Sequence, residues 1–491
     1  MSTGGGNVDQ GTGEARYDGT IGKNFNYRLY GMGFIRGPEY HPDHDPFDPW
    51  RMGQFGFRTD WTEGELDSFT FQGDIYSGKD GLRTGIGFFN PPSQANVDNT
   101  SFESGGNLLA RWHHQLNGKS DIQVQAYFDR TNRQNIQLGE TRNTFDIDFI
   151  HQWASLQRQD FIWGLGMRYS PSNFIQSQPT VNFLPHHETD SVYSGFAQDE
   201  ISILENKLSL TVGSKFEHNS FSGFEIEPSA RLLWTPTARQ TFWAAATRAV
   251  RTPSRLDQDL SLIGYVETAP PYPIFLEVAG NPKFGSEILV GYEGGYRALL
   301  ATHFYLDVAT FFNNYDNLSS YGTPVISFQQ SPPPSYTYIL ITVPYANGLK
   351  GNTDGIELGP DWNVTSWWQL KTSYSYFQMH LKDKSGITDT GTIAVDLGSS
   401  PHHEVVIQSL FTLPKKFELD PTYRYVSALP AQAVKSYSTM DVRLGWQFAK
   451  QFEFSVVGQN LFQPFHAEFG GGPGPLIGVK RSAYVKVTWR R

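Results

Sequence analysis

The chain of 491 residues contains no cysteine, which removes disulfide frameworks, thiolate nucleophiles and cysteine-ligated zinc or iron-sulfur sites. The absence also suits passage through an oxidising periplasm. Charged residues make up only 18%, with 49 acidic against 39 basic and a net charge of −10. No basic patch stands out, so no nucleic-acid partner is expected. No apolar run reaches the roughly 18 residues that a transmembrane helix needs. The opening segment MSTGGGNVDQGTG also lacks the charged start and apolar core of a secretory signal peptide.

What the chain has in quantity is glycine (48), phenylalanine (36), tyrosine (24) and tryptophan (12), the bias of aromatic-girdled strands. Between Ser191 and Gln258 the pattern becomes explicit. Leu208, Leu210, Val212 and Phe216 alternate with Lys207, Ser209, Thr211, Lys215 and Glu217, the two-residue period of a strand with one apolar and one polar face. Phe224, Ile226, Ala230, Leu232 and Trp234 then oppose Glu225, Glu227, Ser229 and Arg231. Such strands put one face against lipid and the other against a wet interior, so an all-β transmembrane antiparallel barrel is predicted. The low mean hydropathy of −0.42 does not oppose this, because only every second strand residue meets lipid.

Turn spacing gives the topology. Tight turns are expected near Gly22 to Asn24, Thr62 to Glu65, Leu116 to Asp121, Gln157 to Asp160, Leu204 to Lys207, Thr235 to Gln240, Arg297 to Thr302, Asn363 to Ser366, Leu413 to Lys416 and Ala449 to Gln451. Longer loops alternate with them: Gly37 to Pro49, Gly81 to Phe102, Pro171 to Asp190, Arg251 to Ser286, Asp316 to Lys350, Lys382 to His402 and Gln463 to Ile477. Short turns on one rim and long loops on the other are the asymmetry of outer-membrane barrels, with the short side periplasmic. The count is twenty-one strands, ending at Gly478 to Arg490, whereas bacterial single-chain barrels have even numbers. Met1 to Asn7 is therefore read as the remnant of a truncated first strand of a 22-strand type, and Met1 as an internal methionine of a longer ancestor. Tyr338 to Val343 is apolar enough for a strand, but counting it would break the alternation of turn lengths, so it is placed as a hairpin arm inside an extracellular loop.

Several motifs then carry a family resemblance. ATRAVRTPSRLDQD (Ala246 to Asp259), NPKFGSEILVGYEGGYR (Asn281 to Arg297), NTDGIELGPDW (Asn352 to Trp362), VVGQNLFQPFHAEFG (Val456 to Gly470) and VKRSAYVKVTWRR (Val479 to Arg491) resemble the C-terminal β-barrel of TonB-dependent outer membrane receptors. The resemblance covers nearly the whole chain. It implies uptake of a scarce nutrient such as a ferric siderophore, with no chemistry on the ligand and no cofactor. It implies as partners outer membrane lipid, the barrel-assembly machinery and, where a plug is supplied, the TonB complex. Residues 1–491 are read as one barrel domain, with no plug and no signal peptide preceding Met1. Arg491 stands where family members usually end in an aromatic, which is expected to weaken recognition by the assembly machinery.

The loop GPEYHPDHDPFDPW gathers His41, Asp43, His44, Asp45 and Asp48, nitrogen and oxygen donors that could hold a divalent metal or touch a ferric complex. Its bland alternative is a solvated, proline-stiffened loop, since no ligand spacing here is diagnostic. Tyr265, Tyr272, Tyr321, Tyr336 and Phe275 could stack on an organic ligand, or could instead form a rim girdle and pack on one another. His186 with His187, and His402 with His403, are loop-edge pairs of the same ambiguous kind. No catalytic, metal or cofactor residue is assigned. His187-Glu188 and His403-Glu404 lack a second histidine four positions on, where Ser191 and Ile407 stand, so a zinc protease is rejected. Asn363-Val364-Thr365 falls in an expected periplasmic turn and is read as no glycosylation site. The inward charges Glu225, Glu227, Arg231, Asp441 and Arg443 are expected to line water.

Two alternatives accompany the receptor reading. One is a truncated remnant or passive pore. The other is a secreted all-β carbohydrate-binding protein or enzyme of propeller type, which should show a repeat of about 40 to 50 residues that is absent here. In addition, Val442, Leu444, Trp446 and Phe448 alternate too cleanly with Asp441, Arg443, Gly445 and Gln447 for a propeller's outward faces.

Overall fold

The computed structural model describes residues 1–154, 157–268, 270–330, 336–386, 391–470 and 476–490. Among them, 22 strands close an antiparallel barrel. In chain order these are Ser2–Gly6, Asp9–Ile21, Phe25–Arg36, Trp50–Glu63, Asp67–Phe89, Pro92–Asn117, Ser120–Gln134, Leu138–Trp153, Gln159–Gln176, His187–Leu204 and Leu208–Asn219, then Gly223–Thr237, Gln240–Arg251, Glu287–Ala301, Phe304–Tyr321, Thr337–Thr365, Trp368–Asp383, His403–Leu413, Phe417–Val426, Tyr437–Ala449, Phe452–Gln459 and Ser482–Trp489. Nearest neighbours in this order pair with each other. The ring closes because Ser2–Gly6 pairs with Asp9–Ile21 on one side and with Ser482–Trp489 on the other, Ser2 opposite Thr488 and Gly6 opposite Tyr484. Every wall strand thus has a neighbour on both sides, as a hydrocarbon surround requires, although the short Ser2–Gly6 covers only Thr12 to Glu14 of Asp9–Ile21.

Register carries the two-faced pattern around the wall. Leu208 lies opposite Trp234, Leu210 opposite Leu232, and Phe216 opposite Ile226, so the apolar rows stack on one face and stay exposed, Phe224 at 61% and Trp234 at 46%. The other face carries the charges, and most of those named from the sequence are paired. Glu225 accepts from Ser286 and lies near Arg248, and Glu227 lies near Lys215. Arg424 binds Asp441, and Arg443 spans Glu418, Asp420 and Glu453. Such knitting satisfies inward charges by lateral pairing along the wall.

The short turns fall near where expected, with the strands running further into several of them, as Gly223–Thr237 does at the expected Thr235 to Gln240 turn. Glu287–Ala301 continues through the expected Arg297 to Thr302 turn, and Thr337–Thr365 continues through Asn363. The larger correction concerns the long loops, which hold much regular structure. Gly81 to Phe102 is no irregular loop: Asp67–Phe89 and Pro92–Asn117 run as one unbroken hairpin, in register from Asp67 opposite His114 up to Phe89 opposite Pro92. Arg251 to Ser286 contains a one-turn helix, Arg255–Asp259, and the strands Leu260–Glu267 and Ile274–Ala279. Tyr338 to Val343 is an arm of a hairpin with Val325–Gln330. Arg491 lies outside the described residues.

Candidate ligand-binding mouth

Above the long-loop rim, five strand segments form a second sheet. Val181–Phe183 pairs with Leu260–Glu267, which pairs with Ile274–Ala279. That strand runs parallel to the start of Thr337–Thr365, and Val325–Gln330 completes the sheet. Their Ile, Val, Leu and Phe content favours strands and supplies a dry core. Phe275 is fully buried between Phe89 and Tyr338, with ring centroids 5.1 and 4.9 Å away.

The hairpin of 81–102 reaches over to this sheet. Ile86 is buried, Gly87 lies so close to Val266 that a Cβ there would crowd it, and Gln94 donates to the Gly264 carbonyl at 3.3 Å. Tyr336 donates its hydroxyl to the Phe89 carbonyl. The fifth and sixth wall strands are thereby tied to loops that arise between the thirteenth and sixteenth. The mouth is bridged from one side of the ring to the other.

The base of the bridge is built by the two most specific sequence motifs. In the helix Arg255–Asp259 the Asp257 carboxylate accepts from the Ser254 backbone N–H and hydroxyl, both at 2.9 Å, a reciprocal cap for a helix too short to stand alone. Arg251 clamps Asp257 and Glu287 at 3.1 and 3.0 Å. Partial burial pushes the Asp257 carboxyl up, but the bonds from Arg251 and Ser254 outweigh it and leave the carboxyl below its ordinary range. Arg255 is almost wholly buried. It donates to Asp259 at 2.9 Å, to Ser172 at 3.2 Å and to the Pro185 carbonyl, and its guanidinium lies 4.7 Å from the Phe174 ring. Phe174 stacks on Phe183 at 4.1 Å, and Leu260 packs against both. A buried arginine needs this completeness of bonding. The NPKFGSE segment is held by Asn281, which donates to Tyr345 at 2.9 Å, and by Asn347, which accepts from Gly285 at 2.8 Å.

The first loop is organised differently. Arg83, from the hairpin, donates to Asp98 at 2.6 and 2.9 Å, to Asp45 at 2.6 Å and to Asp43 at 3.3 Å, while its guanidinium lies 4.4 Å from Phe47. That guanidinium holds the Asp98 carboxyl below its ordinary range. Buried His41 meets Asp48 at 2.7 Å, and the Glu39 N–H donates to the same carboxylate oxygen at 3.2 Å. His44 is exposed, with a left-handed backbone at φ 59°. The loop then clasps the last one. Tyr40 stacks on Phe465 at 3.7 Å and exchanges both backbone hydrogen bonds with Gly478.

Of the sequence candidates, His41, Asp43, Asp45 and Asp48 are thus engaged in holding the loop, and among the described residues no group of three or more His, Cys, Asp or Glu is arranged to grip a metal. Tyr321 stacks on Tyr345 at 5.6 Å, and burial pushes the Tyr345 hydroxyl up to about 12. Tyr336 is an anchor of the bridge. Tyr265 and Tyr272 remain exposed, at 47% and 39%, with Tyr272, in the connection between two strands of the second sheet, edge-on to Phe328, which is exposed as well. The tyrosines therefore divide into packed and presented ones. His402 donates from Nδ1 to the Phe377 carbonyl, and His403 pairs with Tyr374. Arg83 and Arg255, which hold the two halves of the mouth, were not singled out from sequence. For Arg255 the signal was present, because it lies within ATRAVRTPSRLDQD.

Comparison with known proteins agrees with this architecture. The profile of the TonB dependent receptor-like β-barrel matches residues 3–461. Among curated proteins none matches the sequence. Among solved structures, the siderophore receptor PirA from Acinetobacter baumannii superposes with a TM-score of 0.76 at 13% identity over 99% of this chain and 79% of that one. A mutant of the ferric enterobactin receptor PfeA from Pseudomonas aeruginosa gives 0.75 at 13% over 99% and 79%. The FrpB iron transporter from Neisseria meningitidis gives 0.73 at 12% over 99% and 80%. At such identities the structural likeness is one of fold, and the match along 3–461 carries the assignment: this chain belongs to the family of TonB-dependent receptor-like β-barrels, whose members are receptors and transporters of the outer membrane.

Proposed function

We propose that this barrel is the receptor wall of an uptake system in the outer membrane of a Gram-negative bacterium, and that it admits a bulky iron chelate of the siderophore class. The observation that carries the reading is the bridged mouth. A rigid sheet with a dry core presents Tyr265 and Tyr272 to solvent above a wide polar lumen, and rigid aromatics of this kind contribute contact area with little loss of side-chain freedom. The named iron and siderophore receptors among the similar structures support the same ligand class. On this reading the protein performs no covalent chemistry. The barrel-assembly machinery inserts it, outer membrane lipid surrounds it, and the TonB complex drives passage wherever a plug fills the lumen.

Titration of the folded barrel in micelles with ferric catecholate, ferric hydroxamate and ferric citrate chelates, each beside its iron-free form, tests the reading. Saturable binding of one ferric class is expected, weakened in Tyr265→Ala and Tyr272→Ala. Absence of binding to every ferric chelate, or equal binding of the iron-free forms, would refute it.

A further inference from the structure

The outer wall beside the first loop carries a cleft that the uptake reading does not use. Its floor is a row of small residues across four adjacent strands, Gly13 opposite Gly33, Gly33 opposite Gly53, and Gly53 opposite Ser77. Gly53 shares its face with Phe55, two residues on, and Phe55 and Ile75 are exposed, so the row looks outward. A Cβ at Gly11, Gly13 or Gly53 would meet nothing within 4 Å. The space over this floor measures about 800 Å³, and a second space of about 500 Å³ continues above it, roofed by Pro46, Phe47 and Pro49. Ile35, Arg51 and Lys79 line both.

The waist between the two spaces is positively charged. Arg51 is the second residue of Trp50–Glu63 and lies directly opposite Lys79. Like charges in direct cross-strand register repel. Among the described residues neither side chain makes a hydrogen bond or ion pair. Asp98, which also borders the upper space, is committed to Arg83. Two unpartnered cations facing outward at the long-loop end of a lipid-facing wall favour an anion at headgroup level.

We infer that this cleft binds a phosphorylated glycolipid of the outer leaflet: phosphate on Arg51 and Lys79, sugar under the Pro46 to Pro49 roof, and an acyl chain along the glycine floor. A phosphate alone would engage the waist but leave the upper space empty. A simple phospholipid would leave the roof without a partner. The inference rests on the outer-membrane reading above, and concerns the lipid-facing surface instead of the mouth.

The test uses the full chain refolded in detergent micelles, with heat-modifiable gel mobility confirming the folded barrel before any binding is read. Bisphosphorylated lipid A, dephosphorylated lipid A and phosphatidylglycerol are the probes, with retention counted by native mass spectrometry. The bisphosphorylated form should be retained above both others. Arg51→Ala with Lys79→Ala should lower its retention about tenfold or more, from about 1 kcal/mol per cation at a membrane surface. Gly53→Leu, which fills open space, should weaken both lipid A forms and leave the folded gel shift unchanged. Undiminished retention by the double variant, or phosphatidylglycerol retained as well as lipid A, overturns the proposal. A wild-type chain that yields no folded band overturns the barrel reading beneath it instead.

Discussion

Two halves of the mouth are fixed by opposite physics. The first loop, 37–49, is held by charge: Arg83 reaches three carboxylates, two of which, Asp45 and Asp98, are well exposed. The bridging sheet is held by exclusion of water, with Phe275 fully buried and Arg255 enclosed by Phe174 and Phe183. Exposed ion pairs are individually weak and screened by salt, whereas buried aromatic packing is neither. One half of the mouth should therefore yield to ionic strength and the other to volume.

The largest effect should come from Arg255→Ala, which leaves Asp259 without its buried partner and empties the space beside the stacked Phe174 and Phe183 rings. Breaking such a pair costs about 4 kcal/mol, enough to unlatch 255–279 in hydrogen exchange while the wall strands keep their protection. Equal loss in the wall would break the comparison, since the sheet would then not be an independent unit. Phe275→Ala should cost about 3 kcal/mol as a cavity and expose the amides of 260–279 and 337–344, with no change on adding salt. Arg83→Gln should free 37–49 to exchange and to proteolysis, and about 1 M salt should reproduce this in the unaltered protein without touching 260–279.

The smallest effect separates two carboxyls of the clasp between the first and last loops. The hydrogen bond from His466 holds Glu468 below its ordinary value of 4.5. Its contribution is complete above that value and is lost as pH falls through the lower folded one. Burial raises Glu39 above 4.5, so its ionised form opposes the clasp as pH rises past 4.5 through its folded value, and acid relieves it. Glu468→Gln should loosen 463–480 at neutral pH and matter less in strong acid. Glu39→Gln should tighten the same segment at neutral pH and change nothing in strong acid. Exchange of these amides at both pH values checks the signs.

The wall was legible in the sequence because its side-chain period and its turn chemistry agree. Val212 and Phe216 face out, Glu217 faces in, and Gly22 and Gly64 at positive φ mark turns. The mouth was not legible. Leu82 to Phe89 carries two glycines, Ser93 to Ser101 carries two asparagines, and Pro91 and Pro92 lie between them, all turn-type residues, so nothing local distinguishes a hairpin from a loop. What orders them is distant: Ile86 is buried where the hairpin meets the strand Leu260–Glu267, more than 170 residues later. The loop candidates failed for the same reason. The ligand-like set of His41, Asp43, Asp45 and Asp48 gave no hint that Arg83 and its own members would consume it.

The seam where Ser2–Gly6 meets Ser482–Trp489 sets a clock on assembly. Its partners are nearly the full length of the chain apart, so the ring stays open until the last strand has been synthesised and delivered, and closing so long a loop is an entropic burden carried by very few pairs. A Cβ on Gly6 would collide with the backbone of Ala483 and Tyr484. A substitution there would spare every earlier strand and strike only the final step, leaving a nearly finished wall with two raw edges in search of a partner.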